Sequence, residues 1–156
     1  MKFAHRGQGS TEYLVLLAVA LIVALVAIAL LGWFPGVSGD TRESQSRSYW
    51  NGAQPFAIIE YKSDSTSGNL TLSIRNQRSE KLTITGITVD GSAVTLPANL
   101  SVKGGEEKVI TFALPAASQC DNVGDMFEYD LTITYNTKDI TGIVQTGARP
   151  LIGKCS

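Results

Sequence analysis

The hydrophobic positions of the chain follow two patterns, one continuous and one alternating. Residues 14–31 are all Ala, Val, Leu or Ile, so a helix built from them has no polar face. At about 1.5 Å per residue this run is about 27 Å long, and the Gly, Trp and Phe that follow extend it toward the roughly 30 Å of a hydrocarbon core. The pattern predicts a transmembrane helix over residues 8–34.

A polar segment separates the apolar run from the rest of the chain. Pro35 and Gly36 predict a kink, because proline lacks a backbone donor and clashes with the preceding helical turn. Within residues 35–54, Asp40 is a candidate N-cap for a short polar helix that ends near Trp50. The serine and arginine content of the segment is also compatible with a flexible stalk.

Beyond Pro55 the hydrophobic positions alternate with polar ones, which is the period of a half-buried β-strand. Leu70, Leu72 and Ile74 follow this alternation without interruption. A slip in the alternation at Gly86 predicts a β-bulge. The predicted strands are residues 56–61, 69–76, 82–89, 92–96, 107–114, 127–136 and 139–146.

Short strands and turns at this spacing are typical of a β-sandwich. The Asp90-Gly91 pair is a strong signal for a two-residue hairpin. Because about 100 residues with about seven strands match the size of an immunoglobulin-like domain, residues 55–156 are predicted to form an immunoglobulin-like antiparallel β-sandwich head. The expected fold class is α+β, with an open barrel as the alternative for the head.

The charge balance argues against one class of partner. The chain has 13 Lys and Arg against 14 Asp and Glu, a formal net charge of -1, and its basic residues form no cluster. Since nucleic-acid binding needs a basic surface, we expect no nucleic-acid partner.

Catalysis is not expected, because the residues that usually support it are few. His5 is the only histidine and precedes the apolar run, so the rest of the chain has none for acid-base chemistry or metal binding. We therefore expect no enzymatic activity, no cofactor and no metal site. Asp121, Asn122 and Asp125 offer oxygen ligands that would suit Ca²⁺, but a turn is the simpler interpretation.

Two cysteines and two glycosylation sequons indicate a head that lies outside the cell. Cys120 and Cys155 are the only cysteines and are predicted to form a disulfide bond. A free redox pair is the alternative, although no C-x-x-C spacing supports it. Asn69 and Asn99 each begin an N-x-S/T sequence and are candidate N-glycosylation sites.

A short motif precedes the apolar run. Residues 6–13 read RGQGSTEY, and within them Gln8, Ser10, Glu12 and Tyr13 form the pattern Q-x-S-x-E-Y. This motif, followed by an apolar helix, resembles the class III signal peptide of archaeal type IV pilins. The resemblance is confined to the N-terminal part of the chain.

The resemblance implies a processing step and an assembly role. In that family a prepilin peptidase removes the leader on the cytoplasmic side, which by resemblance places the cut between Gly7 and Gln8 and releases residues 1–7. Glu12 then becomes the fifth residue of the mature chain, where pilins carry a glutamate that pairs with the new amino group. The alternatives are an ordinary secretory signal and a glutamate that simply lies among lipid headgroups.

The expected function is that of a pilin, the structural subunit of an archaeal type IV pilus-like surface filament that serves adhesion. The implied partners are other copies of the chain in a helical filament, the prepilin peptidase, and a pilus assembly ATPase with its membrane platform protein. The chain itself has no phosphate-binding loop. It would start in the cell membrane as a prepilin and end in an extracellular filament. The alternatives are a single-pass surface protein with a binding β-domain and a subunit of the archaellum.

Overall fold

The computed structural model describes residues 8–32, 35–98 and 100–156, with side chains described for 11–30, 39–98 and 100–156. The chain divides into two compact units, Met1–Ser38 and Gly39–Ser156. We call the second unit the head. It contains the end of a polar helix together with all of the strands.

Two helices precede the strands. α1 spans Gln8–Gly32 and α2 spans Pro35–Gly52, while residues 33 and 34, beside the predicted kink, lie outside the described residues. α2 begins at Pro35, and proline suits a first helical position because no backbone donor is needed there. The predicted N-cap at Asp40 is therefore wrong. Asp40 lies within α2, and its Oδ1 accepts a hydrogen bond from Lys154 Nζ at 2.8 Å.

The strands form antiparallel sheets, so the chain is an apolar helix followed by a β-rich head. One sheet has the order β1-β2-β6, and a two-stranded sheet pairs β7 with β10. A five-stranded sheet has the order β4-β3-β8-β9, with β5 also paired to β3. The strands are β1 Phe56–Asp64, β2 Asn69–Asn76, β3 Leu82–Val89, β4 Ser92–Ala93, β5 Leu100–Val102, β6 Glu107–Ala113, β7 Met126–Tyr129, β8 Leu131–Asn136, β9 Ile143–Thr146 and β10 Leu151–Lys154.

Two local features of β3 confirm the sequence predictions. The pairing of β3 with β8 shifts register between Ile84 and Gly86, as expected of the predicted bulge. The Asp90-Gly91 pair closes the hairpin to β4, with φ of 50° and 77°. Positive φ at both central residues is the requirement of a type I′ turn, which explains why this pair is favoured there.

The predicted strand over residues 127–136 is in fact two strands in different sheets. Asp130 separates β7 from β8, and its backbone N–H donates to Asp90 Oδ1 at 2.9 Å. The Asp90 N–H in turn donates to the Asp130 carbonyl at 2.9 Å. This reciprocal pair holds the point where the chain passes from one sheet to another.

A single hydrophobic cluster joins the sheets and the end of α2. Trp50 of α2, Phe56 of β1, Leu72 of β2 and Ile133 of β8 are all fully buried within it. Because burying a large apolar side chain contributes about 1.5–3 kcal/mol, this shared core is the main source of stability for the head.

The C-terminal strand β10 connects the two-stranded sheet with the three-stranded one. It pairs antiparallel with β7, and an isolated parallel bridge joins Cys155 to Ser63 of β1. The Tyr61 hydroxyl donates to the Ile152 carbonyl at 2.5 Å. Gly153 leaves room for two rings, since a Cβ atom there would lie 2.7 Å from Phe127 and 3.0 Å from Tyr61.

Candidate functional site

The strongest functional feature of the first unit is a helix with no covered side. Every described side chain of α1 is exposed, with exposed fractions between 46% at Leu17 and 69% at Leu16 for its Leu, Val and Ile residues. The segment Thr11–Leu30 has a mean hydropathy of 3.1 and is long and apolar enough to cross a membrane. A helix apolar on all faces needs a surrounding of lipid or of other apolar helices.

Glu12 is the only charged residue within α1. It lies one helical turn after Gln8, so the two positions share one face of the helix. No ion pair joins Glu12 to another of the described residues. Gly7 lies outside the described residues, and the predicted cut before Gln8 therefore stays a prediction.

α2 is attached to the head by polar contacts on one side. Arg42 Nη2 donates to Glu128 Oε2 of β7 at 2.7 Å. The Ser46 hydroxyl, which is 2% exposed, accepts from the Ile152 N–H at 3.0 Å and donates to the Pro150 carbonyl at 2.8 Å. These contacts fix the end of α2 against β7 and the C-terminal strand.

An ion pair and a cation–π contact complete this attachment. The hydrogen bond from Lys154 to Asp40 raises the pKa of the Lys154 ammonium above its ordinary value. The Arg47 guanidinium carbon lies 4.7 Å from the centre of the Tyr61 ring. Burial of the Tyr61 hydroxyl raises its pKa, and Arg47 opposes that rise. Tyr61 thus stays neutral and serves as a hydrogen-bond donor to β10.

The two cysteines form the predicted disulfide bond. Cys120 and Cys155 have Cα atoms 6.0 Å apart and lie 35 positions apart in the chain. Cys155 is buried and bridges to Ser63, while the Cys120 sulfur lies 3.2 Å from the Ser63 hydroxyl and 3.7 Å from the Tyr129 hydroxyl. Burial raises the pKa of Tyr129. The bond ties the loop before β7 to the end of β10.

The chain has no match among known families. No protein-family model matches it, and neither does any curated protein.

Of the two candidate glycosylation sites, one lies within the described residues. Asn69 opens β2, is half-buried and pairs with Asp64 of β1 and Ala113 of β6. Asn99 lies outside the described residues. Glycan attachment at either residue therefore stays a prediction.

A cleft of about 450 Å³ beside the disulfide is lined by acidic side chains. Two of its carboxylates accept side-chain hydrogen bonds: Asp90 from the Ser118 hydroxyl at 2.6 Å, and Asp125 from the Asn122 amide at 3.2 Å. The part of the chain that the structure describes holds no group of three His, Cys, Asp or Glu side chains suited to a metal ion. The Asp125 N–H also donates to the Asn122 carbonyl at 3.3 Å, so residues 122–125 form a turn.

Sequence reasoning missed β5 and β10, and with β10 it missed the residues that hold the C-terminal end. The N–H of Ser65 donates to the Ser156 carbonyl and the N–H of Ser156 donates to the Ser63 carbonyl, each at 3.0 Å. The segment LIGK has no alternation of apolar and polar residues. The available signal was Cys155 itself, because a disulfide at that position requires an ordered segment around it.

Proposed function

We propose that this chain is a pilin, the structural subunit of an archaeal type IV pilus-like filament. It is made as a membrane prepilin, trimmed between Gly7 and Gln8, and polymerised through α1. One observation carries the proposal: α1 is apolar and exposed on every side, yet it carries one carboxylate close to its start. A membrane anchor needs only the apolar surface of α1. In a filament core, the Glu12 carboxylate can also pair with a positive charge.

The carboxylate of Glu12 is costly at the edge of a hydrocarbon layer unless it is paired or lies in the interface. Removal of residues 1–7 would create an α-amino group at Gln8, one helical turn from Glu12 in sequence. That amino group, in the same copy or in a neighbouring one, offsets the charge of Glu12. Charge pairing then favours the register in which a new copy joins the filament.

The apolar surface of α1 serves two environments in turn. Lipid covers it in the prepilin, and the helices of other copies cover it in the filament. The exchange leaves no apolar residue in water at either stage. The chain therefore works with a prepilin peptidase, an assembly ATPase and a membrane platform protein.

For the head we propose an immunoglobulin-like sandwich on the outside of the cell. Two observations support this architecture: antiparallel sheets share one core, and β10 links the edges of two of them. The disulfide suits an oxidising exterior. Asn69 and Asn99 are the proposed glycosylation sites, and adhesion is the proposed role of the assembled filament.

The main alternative is a single-pass surface protein whose β-domain binds a ligand and never polymerises. The exposure of α1 supports that alternative equally well, but the isolated acid and the RGQGSTEY motif favour the pilin. A subunit of the archaellum is the second alternative, and the Q-x-S-x-E-Y leader argues mildly against it.

The N-terminal mass of the chain, measured after expression in an archaeon with its own prepilin peptidase, tests the processing step. We expect a mature chain that begins at Gln8. A chain that retains Met1 contradicts the proposal, and one cut beyond the apolar run indicates a secretory signal instead.

Negative-stain microscopy of sheared surface material tests polymerisation. We expect filaments that contain peptides of this chain. A chain that is processed at Gln8 but stays in the membrane fraction, without filaments, contradicts a role as a structural subunit.

A further inference from the structure

The five-stranded sheet of the head has no charged residue in any of its strands. The opposite sheet is different, because β1, β2 and β6 carry charged side chains, among them Glu60, Lys62, Arg75 and Glu107. The outward side chains of the five-stranded sheet are therefore uncharged, and the Lys108 ammonium contacts this sheet only through the Ser101 carbonyl of β5, at 3.2 Å.

Threonine dominates the outward side of this sheet. In β3 and β8 the half-buried positions alternate with fully buried core residues, so they point away from the core. We call this surface the threonine face. Its polar residues are Thr83, Thr85, Thr88, Ser101, Thr132, Thr134, Asn136 and Thr146.

The register of the strands places these threonines side by side. Thr132 pairs with Thr88 on one neighbouring strand and with Thr146 on the other, which makes a row of three threonines. Thr134 pairs with Gly86 and with the exposed Val144. Adjacent strands lie about 4.8 Å apart, so the row repeats hydroxyl and methyl groups at a regular spacing.

The hydroxyl groups of this row are free to bind an external partner. Thr88, Thr132 and Thr146 form no side-chain hydrogen bond with another described residue. Thr85, on the same strand as Thr88, donates its hydroxyl to the Thr134 carbonyl at 3.2 Å. On the opposite sheet the corresponding hydroxyls are already occupied, because Thr71 and Thr111 bond each other at 3.0 Å.

We propose that the threonine face binds a neutral polysaccharide, as the adhesive surface of the proposed filament. Contact between an uncharged surface and an uncharged polymer desolvates no charged group. An ionic polymer, by contrast, would find no opposite charge on this surface. Threonine offers a donor, an acceptor and a methyl group, which match the hydroxyl groups and C–H faces of an extended sugar chain. The flat outward side of a sheet suits such a chain better than it suits a small molecule, which needs a concave site.

A single head binds weakly by this mode, since none of the outward residues of the face is aromatic and the contacts are neutral hydrogen bonds. A filament repeats the face on every copy, and multivalent attachment can exceed the affinity of one site by a factor of about 10²–10⁴. The high affinity of this proposal thus rests on the proposed filament, whereas the contacts with the polysaccharide are made by the head alone.

Vesicles that carry the full chain test polysaccharide binding without requiring filaments, because each vesicle presents many copies of the head. We expect such vesicles to sediment with cellulose particles and to do so equally at low and at high salt. We expect clearly less sedimentation with phosphocellulose, which has the same polymer backbone with added negative charge. Vesicles without protein provide the blank.

Two double variants distinguish the contribution of the hydroxyl groups to cellulose binding from that of the shape of the sheet. T132V/T134V removes two hydroxyls from the face and keeps the β-branched side chains. We expect its retention on cellulose to fall about tenfold or more, since two neutral hydrogen bonds correspond to a factor of that order. The matched control T66V/T111V removes two exposed hydroxyls that lie away from the threonine face and leaves both N-x-S/T sequences intact, and its retention should equal that of the wild type.

Three outcomes overturn the proposal: no retention on cellulose, equal losses in both double variants, or retention that salt abolishes. The last outcome would indicate an ionic contact elsewhere on the head. None of these outcomes bears on cleavage at Gln8 or on filament formation. A chain that binds cellulose from vesicles but forms no filaments would instead contradict the proposed function alone.

Discussion

Trp50 lies so close to the backbone of Gly147 that a Cβ atom at that position would overlap its indole ring. The ring is fully buried and belongs to α2, whereas Gly147 directly follows β9. This contact joins the end of the polar helix to the core of the head, and it requires a residue without a side chain.

Replacing Gly147 with alanine should destabilise the head by about 1–3 kcal/mol, because the ring has to move within a packed core. Thermal unfolding of the full chain in detergent, followed by tryptophan fluorescence, measures the change. Gly52→Ala is the matched control, since a Cβ atom at Gly52 meets nothing within 4 Å. Equal melting temperatures for the two variants would show that the ring accommodates the methyl group.

Loss of the Cys120–Cys155 disulfide should destabilise the head by about 4 kcal/mol, the chain-entropy value for a loop of this length. The variant C120S/C155S and the reduced wild-type chain should lose the same amount in denaturant unfolding. Mass spectrometry without reductant gives a direct check. Two free thiols in the native chain would contradict the bond.

Glu107 should stabilise the head only above acidic pH. The Ser73 hydroxyl and then the Arg75 guanidinium donate to its carboxylate, and they lower its pKa below the ordinary 4.5. Because the unfolded chain takes up the proton first as pH falls, the contribution is present above about pH 4.5 and disappears as pH falls through the lower native pKa.

Denaturant unfolding of Glu107→Gln at several pH values measures that dependence. The wild type should be more stable than the variant at neutral pH, and the difference should vanish in acid. Glu60→Gln is the control, because the Glu60 side chain forms no hydrogen bond or ion pair with another described residue. A difference for Glu107→Gln that stays constant down to the lowest pH would exclude the carboxylate as its source.

Replacing Glu12 with glutamine should reduce the number of surface filaments strongly while membrane insertion and cleavage at Gln8 continue. The variant removes the charge that the new amino group would pair with, but keeps the size of the side chain. Filament counts and the N-terminal mass are the two measurements. Glu43→Gln, on the polar helix, serves as the control, and undiminished filaments in Glu12→Gln would refute the assembly role.

The strands that sequence predicted best are those with one face in the core. β2 and β3 were predicted with their observed ends, because Leu70, Leu72 and Ile74 alternate with polar residues and Gly86 marks the bulge. The two strands that were missed lack a clear signal for different reasons: β5 alternates but is very short, and β10 does not alternate. β5 has three residues, and β10 is buried at Leu151, Ile152 and Gly153 in succession.

The candidate functional site also contains features that the sequence predicted and features that it did not. The apolar helix, the acid within it and the disulfide were readable from residue type and spacing alone. The attachment of α2 was not, since Arg42, Ser46 and Trp50 find partners that are distant in the chain. The threonine face was also hidden, because its row exists only through the register of three strands.

The position of β10 also sets the order of events during biosynthesis. β10 pairs with β7, and Cys155 directly after it bridges to Ser63 of β1, so this link between the two sheets forms only after residues 151–155 have been made. Contacts between such distant segments close late in folding, because a long loop has to be ordered first. The two-stranded and three-stranded sheets are therefore joined at a late stage of folding, once β10 has been made.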